Sequence, residues 1–238
     1  MLKVEGLNKR FGDVQAVKDF YMSIEREEIV GLVGPNGAGK TTAIECMITV
    51  QNADSGKVFI EGHDIYKEPE KAKAGIAYVT EIPALLPVLT VNEQIQFTAE
   101  IFSSKDWKPK AETMLDGFDL TDKRDNYTWT LSKGQKQKVA IISALAHNPK
   151  LLFFDEPLLG IDPRGARYLK DLLRDHARKG GSILISSHTL SLIEEICDRI
   201  YIMDKGNIKA SGTLDQLKSE ARDPLGNLES VFLKITEG

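Results

Sequence analysis

The chain has 238 residues, 42% of them hydrophobic, with 31 Lys and Arg against 35 Asp and Glu for a formal net charge of −4. That length supports one large domain or two small ones with a substantial core, and the mildly acidic balance offers no basic stretch calling for a nucleic-acid partner. No run approaches the ~18 uninterrupted apolar residues of a membrane span, and Met1 to Gly6 alternates like a strand instead of carrying the apolar centre of a signal peptide.

In chain order, Leu2 to Leu7 reads as a strand, Lys9 to Asp13 as a turn, Asp19 to Ile24 as a second strand and Ile29 to Val33 as a short apolar one. The last feeds Gly34-Pro35-Asn36-Gly37-Ala38-Gly39-Lys40-Thr41-Thr42, a full match to G-x-x-x-x-G-K-[ST], and Ala43 to Met47 follows with helical spacing. Strand, loop and helix in that order is the setting of a phosphate-binding P-loop. Glycines 34, 37 and 39 let the backbone curl so that its amides cradle phosphate oxygens at a helix N-terminus. Lys40 is then placed against the β- and γ-phosphates, and the Thr41 hydroxyl against magnesium.

Beyond the P-loop, Asn52 to Gly56 is expected to be a loop, Lys57 to Ile60 a strand and Glu61 to Asp64 a turn. Gly75 to Val79 is an apolar strand ending at Thr80-Glu81, and the two prolines between Ile82 and Pro87 bar a regular helix there. Helical patterns cover Val91 to Phe102, Pro109 to Phe118 and Ser132 to Ala146, the last with Ser132 as N-cap and Val139, Ile142 and Ala146 on one face. Strand and helix then alternate: Leu151 to Phe154, Pro163 to Arg178, Ser182 to Ser186, Leu190 to Cys197 and Ile200 to Met203. Nearly continuous apolar strands followed by helices mean a parallel sheet covered on both faces. From Thr213 the tail is helical, broken at Asp223 to Gly226. Cys46 and Cys197 lie far apart in apolar surroundings and read as reduced core residues of a cytosolic protein.

Leu151 to Pro157 is a buried strand ending in Asp155-Glu156. Ligands of parallel sheets gather at the carboxyl ends of strands, and adjacent side chains there point in different directions. Asp155 can therefore hold magnesium while Glu156 faces a γ-phosphate and positions or deprotonates water.

Leu131-Ser132-Lys133-Gly134-Gln135 resembles the LSGGQ signature of ATP-binding-cassette proteins. With the P-loop, Asp155-Glu156, Gly160-Ile161-Asp162-Pro163 and His188 after an apolar strand, the chain from Leu2 to about Leu217 resembles the ATPase subunit of an ABC transporter. The resemblance implies an α/β, P-loop NTPase (RecA-like) parallel-sheet core with an N-terminal antiparallel β region and an inserted helical signature subdomain. Residues 1–80 and 148–212 would form the nucleotide-binding core with its β region, 81–147 the helical subdomain and 213–238 the tail. It implies ATP and Mg2+ as cofactors, with Phe11 stacking on adenine and His188 contacting the γ-phosphate and attacking water. Ser132, Gly134 and Gln135 would reach the ATP of a second subunit, and the Asp162 loop would touch that subunit. The working form would be a homodimer or paralogous heterodimer that closes on ATP, hydrolyses it and reopens. An integral membrane permease would dock near residues 81–102, where Leu85, Leu86 and Val88 could line a groove. The subunit would then sit in the cytoplasm, peripheral on the inner face of the cell membrane, without nucleic acid. The ending Leu228 to Lys234 resembles export-type systems.

Two positions depart from the family pattern. Lys133 stands where the signature has glycine, a substitution compatible with a side chain pointing to solvent. Glu81 stands where the family usually has a glutamine that senses magnesium and the transport subunit; a glutamate can ligate magnesium but cannot donate a hydrogen bond while ionised. The competing reading is a soluble, non-transport ABC ATPase acting as an assembly or regulatory scaffold, and a cassette that binds ATP but hardly hydrolyses it is a third.

Overall fold

Alternation and turn chemistry build the first strands of the computed structural model, which describes residues 1–237. Strand β1 (Leu2–Phe11) and β2 (Val14–Ile24) form a hairpin, β3 (Ile29–Val33) leads to helix α1 (Lys40–Met47), and β4 (Ser55–Ile60) and β5 (His63–Asp64) form a second hairpin before α2 (Pro69–Lys73). Next come β6 (Ile76–Val79), α3 (Val91–Ile101), α4 (Trp107–Gly117), α5 (Lys133–Ala146), β7 (Leu151–Asp155) and α6 (Pro163–Arg178). The chain continues through β8 (Ser182–Ser187), α7 (Leu190–Ile196), β9 (Arg199–Asp204), β10 (Asn207–Gly212), α8 (Leu214–Glu220) and α9 (Leu228–Glu237). These elements divide into two units, one made of residues 1–74 and the chain from 177 onward, the other of residues 75–176.

In the first unit β1 pairs antiparallel with β2 and β4, and β4 with β5. Leu2, Val4, Leu7, Val17, Phe20, Met22, Val58 and Ile60 are buried from these strands, the period-2 signature of a sheet with one covered face. Beside them β3 lies parallel between β8 and β9, and β9 turns back antiparallel into β10. Every residue of β3 and β8 is buried, as a parallel strand covered on both faces requires. At the tail, Thr213 closes a capping box on α8, the chain breaks at 223–226, and α9 buries Leu228 and Val231.

In the second unit β6 pairs parallel with β7, and α3, α4 and α5 pack on one another. Thr90 caps α3 and Ser132 caps α5, each through a reciprocal box with the Glu or Gln three residues on. Val139, Ile142 and Ala146 are all buried, as their spacing on α5 demands, and residues 82–87 hold no helix.

Several local expectations need correction. Lys9 to Phe11 belong to β1, and the turn is confined to Gly12-Asp13, where Gly12 adopts φ 54°. β2 begins at Val14; its weak sequence pattern reflects irregular register and Asp19 at φ 43°. Ser55 and Gly56 are strand, and His63-Asp64 pair with Ile60 and Phe59 instead of forming only a turn. Helix α2 and strand β10 were not expected. β10 carries mixed, polar residues, and its one signal is the Lys205-Gly206 turn, where both residues have positive φ as a tight hairpin needs.

Candidate nucleotide-binding site

In the first unit, the loop between β3 and α1 owes its shape to close backbone contacts. A Cβ at Gly34 would sit 2.2 Å from the Met203 carbonyl oxygen, and one at Gly39 would sit 2.1 Å from that of Ala16. Gly39 also adopts φ 103° as N-cap of α1, a conformation costly for any L side chain. The loop is tied to the β9–β10 turn by Gly206 N–H donating to Ala38 O at 2.9 Å. Lys40 is buried, and its ammonium donates to the carbonyls of Gly34 at 2.8 Å and Pro35 at 3.2 Å. Pro35, Asn36, Gly37 and Thr41 are exposed and Thr42 is half-buried.

The register Val33↔Ser187 places Gly34 and His188 at the carboxyl ends of neighbouring parallel strands, and His188 is exposed. Phe11 closes β1 with 46% of its surface exposed, and the Lys9 ammonium lies 4.9 Å from its ring centroid. The aromatic thus has a partner of its own within the strand.

In the second unit, the register Val79↔Phe154 brings the segment Thr80-Glu81 to the same strand ends as Asp155-Glu156. Glu81 is exposed, whereas Asp155 and Glu156 are buried. Glu156 adopts φ 51°, a left-handed conformation uncommon for residues other than glycine.

Ser132 Oγ accepts from the Gln135 amide at 3.3 Å, and Gln135 Oε1 accepts from the Ser132 amide at 2.9 Å. Lys133 is exposed, which is compatible with the solvent-facing side chain considered from the sequence. Gly134 is held against the backbone: a Cβ there would lie 2.1 Å from Gly160 O. The Asp162 carboxylate accepts from the Gly165 amide at 2.9 Å and pairs with Lys138, which holds it below the usual carboxylate range. Lys138 was not singled out in the sequence. Its only signal is the spacing to Ile141, Ile142 and Leu145, which puts a lysine on the apolar face of α5.

Cys46 is buried and its thiol is pushed up to about 11 by desolvation; burial raises the Cys197 thiol as well. Both are free thiols.

A glycine-shaped P-loop with its buried lysine defines a phosphate-binding site of the P-loop NTPase kind. The match of residues 17–159 to the ABC transporter family model makes the assignment specific, and the chain belongs to that family. Among curated relatives, the lipopolysaccharide export system ATP-binding protein LptB of Haemophilus influenzae is 35% identical, over 92% of this chain and 93% of its own. The ABC-type transporter ATP-binding protein EcsA of Bacillus subtilis is 30% identical over 100% of this chain and 97% of its own. A solved ATP-binding subunit of an ABC transporter, 31% identical, superposes with a TM-score of 0.94 over 99% of both chains. The cbiO1 protein of Clostridium perfringens, described as part of the ABC transporter complex cbiONQ, is 28% identical, with a TM-score of 0.75 over 93% of this chain and 91% of its own. The expected P-loop NTPase class, with its antiparallel region and parallel strands, is the fold observed. The protein is an ABC-type ATPase that binds ATP.

Proposed function

We propose that this chain is the ATP-hydrolysing motor of an export-type transporter, working as two ATPase copies bound to a separate membrane permease. The observation that carries the reading is full-length similarity to transporter ATP-binding subunits, LptB and EcsA among them, together with an intact P-loop. The daunorubicin/doxorubicin resistance protein DrrA of Streptomyces peucetius, 30% identical over 92% of this chain, supports the export branch. No helix among the described residues is long and apolar enough to cross a membrane. Membrane attachment is therefore assigned to the permease, with the ATPase on the cytoplasmic face.

In this reading the amides of Gly34 to Thr42 and the Lys40 ammonium bind the phosphates, and Phe11 stacks on adenine. Glu156 accepts the proton of the attacking water and His188 orients that water against the γ-phosphate. The Thr41 hydroxyl and the carboxylates of Asp155 and Glu81 are hard oxygen donors, the kind magnesium prefers. When bound, magnesium supplies charge neutralisation at the phosphates. Ser132, Gly134 and Gln135 face the nucleotide of the second subunit, and Asp162 contacts that subunit. Residues 81–147 act as the helical subdomain; residues 1–80 and 148–212 act as the core and 213–238 as the tail. Exposed Ile82, Leu86, Val88, Phe97 and Ile101 fit a permease contact near 81–102.

Affinity purification of the tagged chain from detergent-solubilised membranes tests the reading. A stoichiometric multi-span membrane protein is the expected companion. Recovery solely with a soluble partner, or alone, overturns the motor reading in favour of a scaffold ATPase.

A further inference from the structure

We propose that Lys138 is a positioning residue that locks the signature segment and the Asp162 loop into one rigid piece, so that both meet a second subunit together. The consequence for turnover rests on the dimeric mechanism proposed above; the lock itself does not.

A lysine with 9% of its side chain exposed is unusual on the packed face of a helix. Its ammonium has two partners from two other segments: the Phe118 carbonyl at the end of α4, at 3.1 Å, and the Asp162 carboxylate ahead of α6. The helix that begins at the signature is thereby joined to both. Gly165 makes room for the lysine, since a Cβ there would lie 2.8 Å from Lys138 Cε and 2.8 Å from Ile161 Cγ2. One turn nearer the helix start, Gly134 touches Gly160 O so closely that no side chain fits between them. The two segments are thus clamped at two points, one of backbone and one of charge. On the far side, Tyr168 of α6 packs edge-on to Phe118 with ring centroids 4.9 Å apart, and its ring fills the space beside Gly117.

The clamp decides what Asp162 can do. One carboxylate oxygen accepts from the Gly165 amide and the other is held by Lys138, so the loop from Gly160 to Asp162 has a single carboxylate orientation to offer. A displacement of that loop pulls on Lys138 and hence on α5, and a displacement of the Ser132 end pulls on the loop. Groups that must be placed within about an ångström to act together benefit from such a tie. Lys138 touches no reacting atom in this account.

The test uses the full chain with Lys138→Met, which keeps the stem and removes the charge, Lys138→Arg, which restores it, and Asp162→Asn, which keeps the acceptor for Gly165. Hydrogen exchange reads the lock. In Lys138→Met the amides of 133–136 and 160–166 are expected to exchange faster together, by about tenfold or more, while those of 34–42 stay unchanged. Steady-state hydrolysis in the permease-bound complex reads the consequence: kcat falls about tenfold to a hundredfold with KM for ATP within about twofold, and Lys138→Arg recovers most of it. Asp162→Asn should reproduce the exchange pattern, and the double variant should add little to it. Unchanged exchange at 160–166 in both single variants overturns the lock. Faster exchange with unchanged kcat overturns the positioning role. A wild-type complex without turnover refutes the motor reading, and the exchange data still decide the lock.

Discussion

The N-termini of α1 and α5 are finished in opposite ways. Helix α1 starts at Gly39 in a left-handed conformation, and a glycine brings no capping side chain of its own. Helix α5 starts at Ser132 with a complete capping box, its Gln135 amide already taken by the serine hydroxyl. In the first arrangement, a glycine in the cap position offers no side-chain acceptor to compete with an anion for the positive end of the helix. The second is stable by itself and presents a finished surface. A glycine start suits a backbone cradle for an anion, and a self-capped start offers a finished polar surface.

The sharpest way to break this contrast is to put a side chain at the glycine start. Gly39→Ala forces a Cβ toward the Ala16 carbonyl and a left-handed alanine, so we expect loss of ATP binding and a destabilisation of at least about 1–2 kcal/mol, measured by nucleotide titration and thermal melting. Glu156→Gln should leave ATP binding intact and lower turnover by about 10²–10⁴-fold, separating the chemistry from the phosphate cradle. At the capped end the effect should be modest for folding: Ser132→Ala is expected to cost about 1 kcal/mol by denaturant unfolding, without touching ATP affinity of the isolated chain.

The smallest effects are in pH. Lys138, and after it the Gly165 amide, hold the Asp162 carboxyl below its ordinary value. Its contribution to stability is therefore complete above about pH 4, the unfolded value, and is lost as pH falls through the lower folded value. Asp162→Asn should flatten that acid limb in melts between about pH 2 and 5. His147 works in the same pH direction for a different reason. Its ring stacks on Phe102 at 3.8 Å, both ring nitrogens are buried short of hydrogen-bond geometry with the Ile76 and Ser143 backbone nearby, and desolvation lowers its affinity for a proton. The unfolded chain takes that proton first, so stability should decline as pH falls below about 6.5. His147→Gln should remove this slope, seen by melting at pH values on either side of that point.

Legibility followed the reach of each signal. The apolar run of β3, the glycines and Lys40, the Ser132 cap and the exact span of α6 were readable because spacing and turn chemistry are written along consecutive residues. Strand β10 escaped because a polar edge strand carries almost no period of its own and depends on pairing with β9. Lys9 and Arg10 look like loop residues in the sequence, yet they are strand, because Asp54 across the sheet accepts the Arg10 amide at 2.6 Å and lies 3.7 Å from the Lys9 ammonium.

By itself the sequence determined the nucleotide loop, the carboxylate pair at the end of β7 and the order of the family's motifs, since each depends on residue types at fixed short separations. Only the tertiary structure decided that Glu156 takes a left-handed backbone, that Gly134 meets Gly160, and that the ammonium of Lys138 ends on Asp162. Those outcomes join residues that the chain separates by some twenty positions or more, or depend on what surrounds a residue once the chain is packed. Local rules carry no information about which distant backbone will stand beside a given side chain.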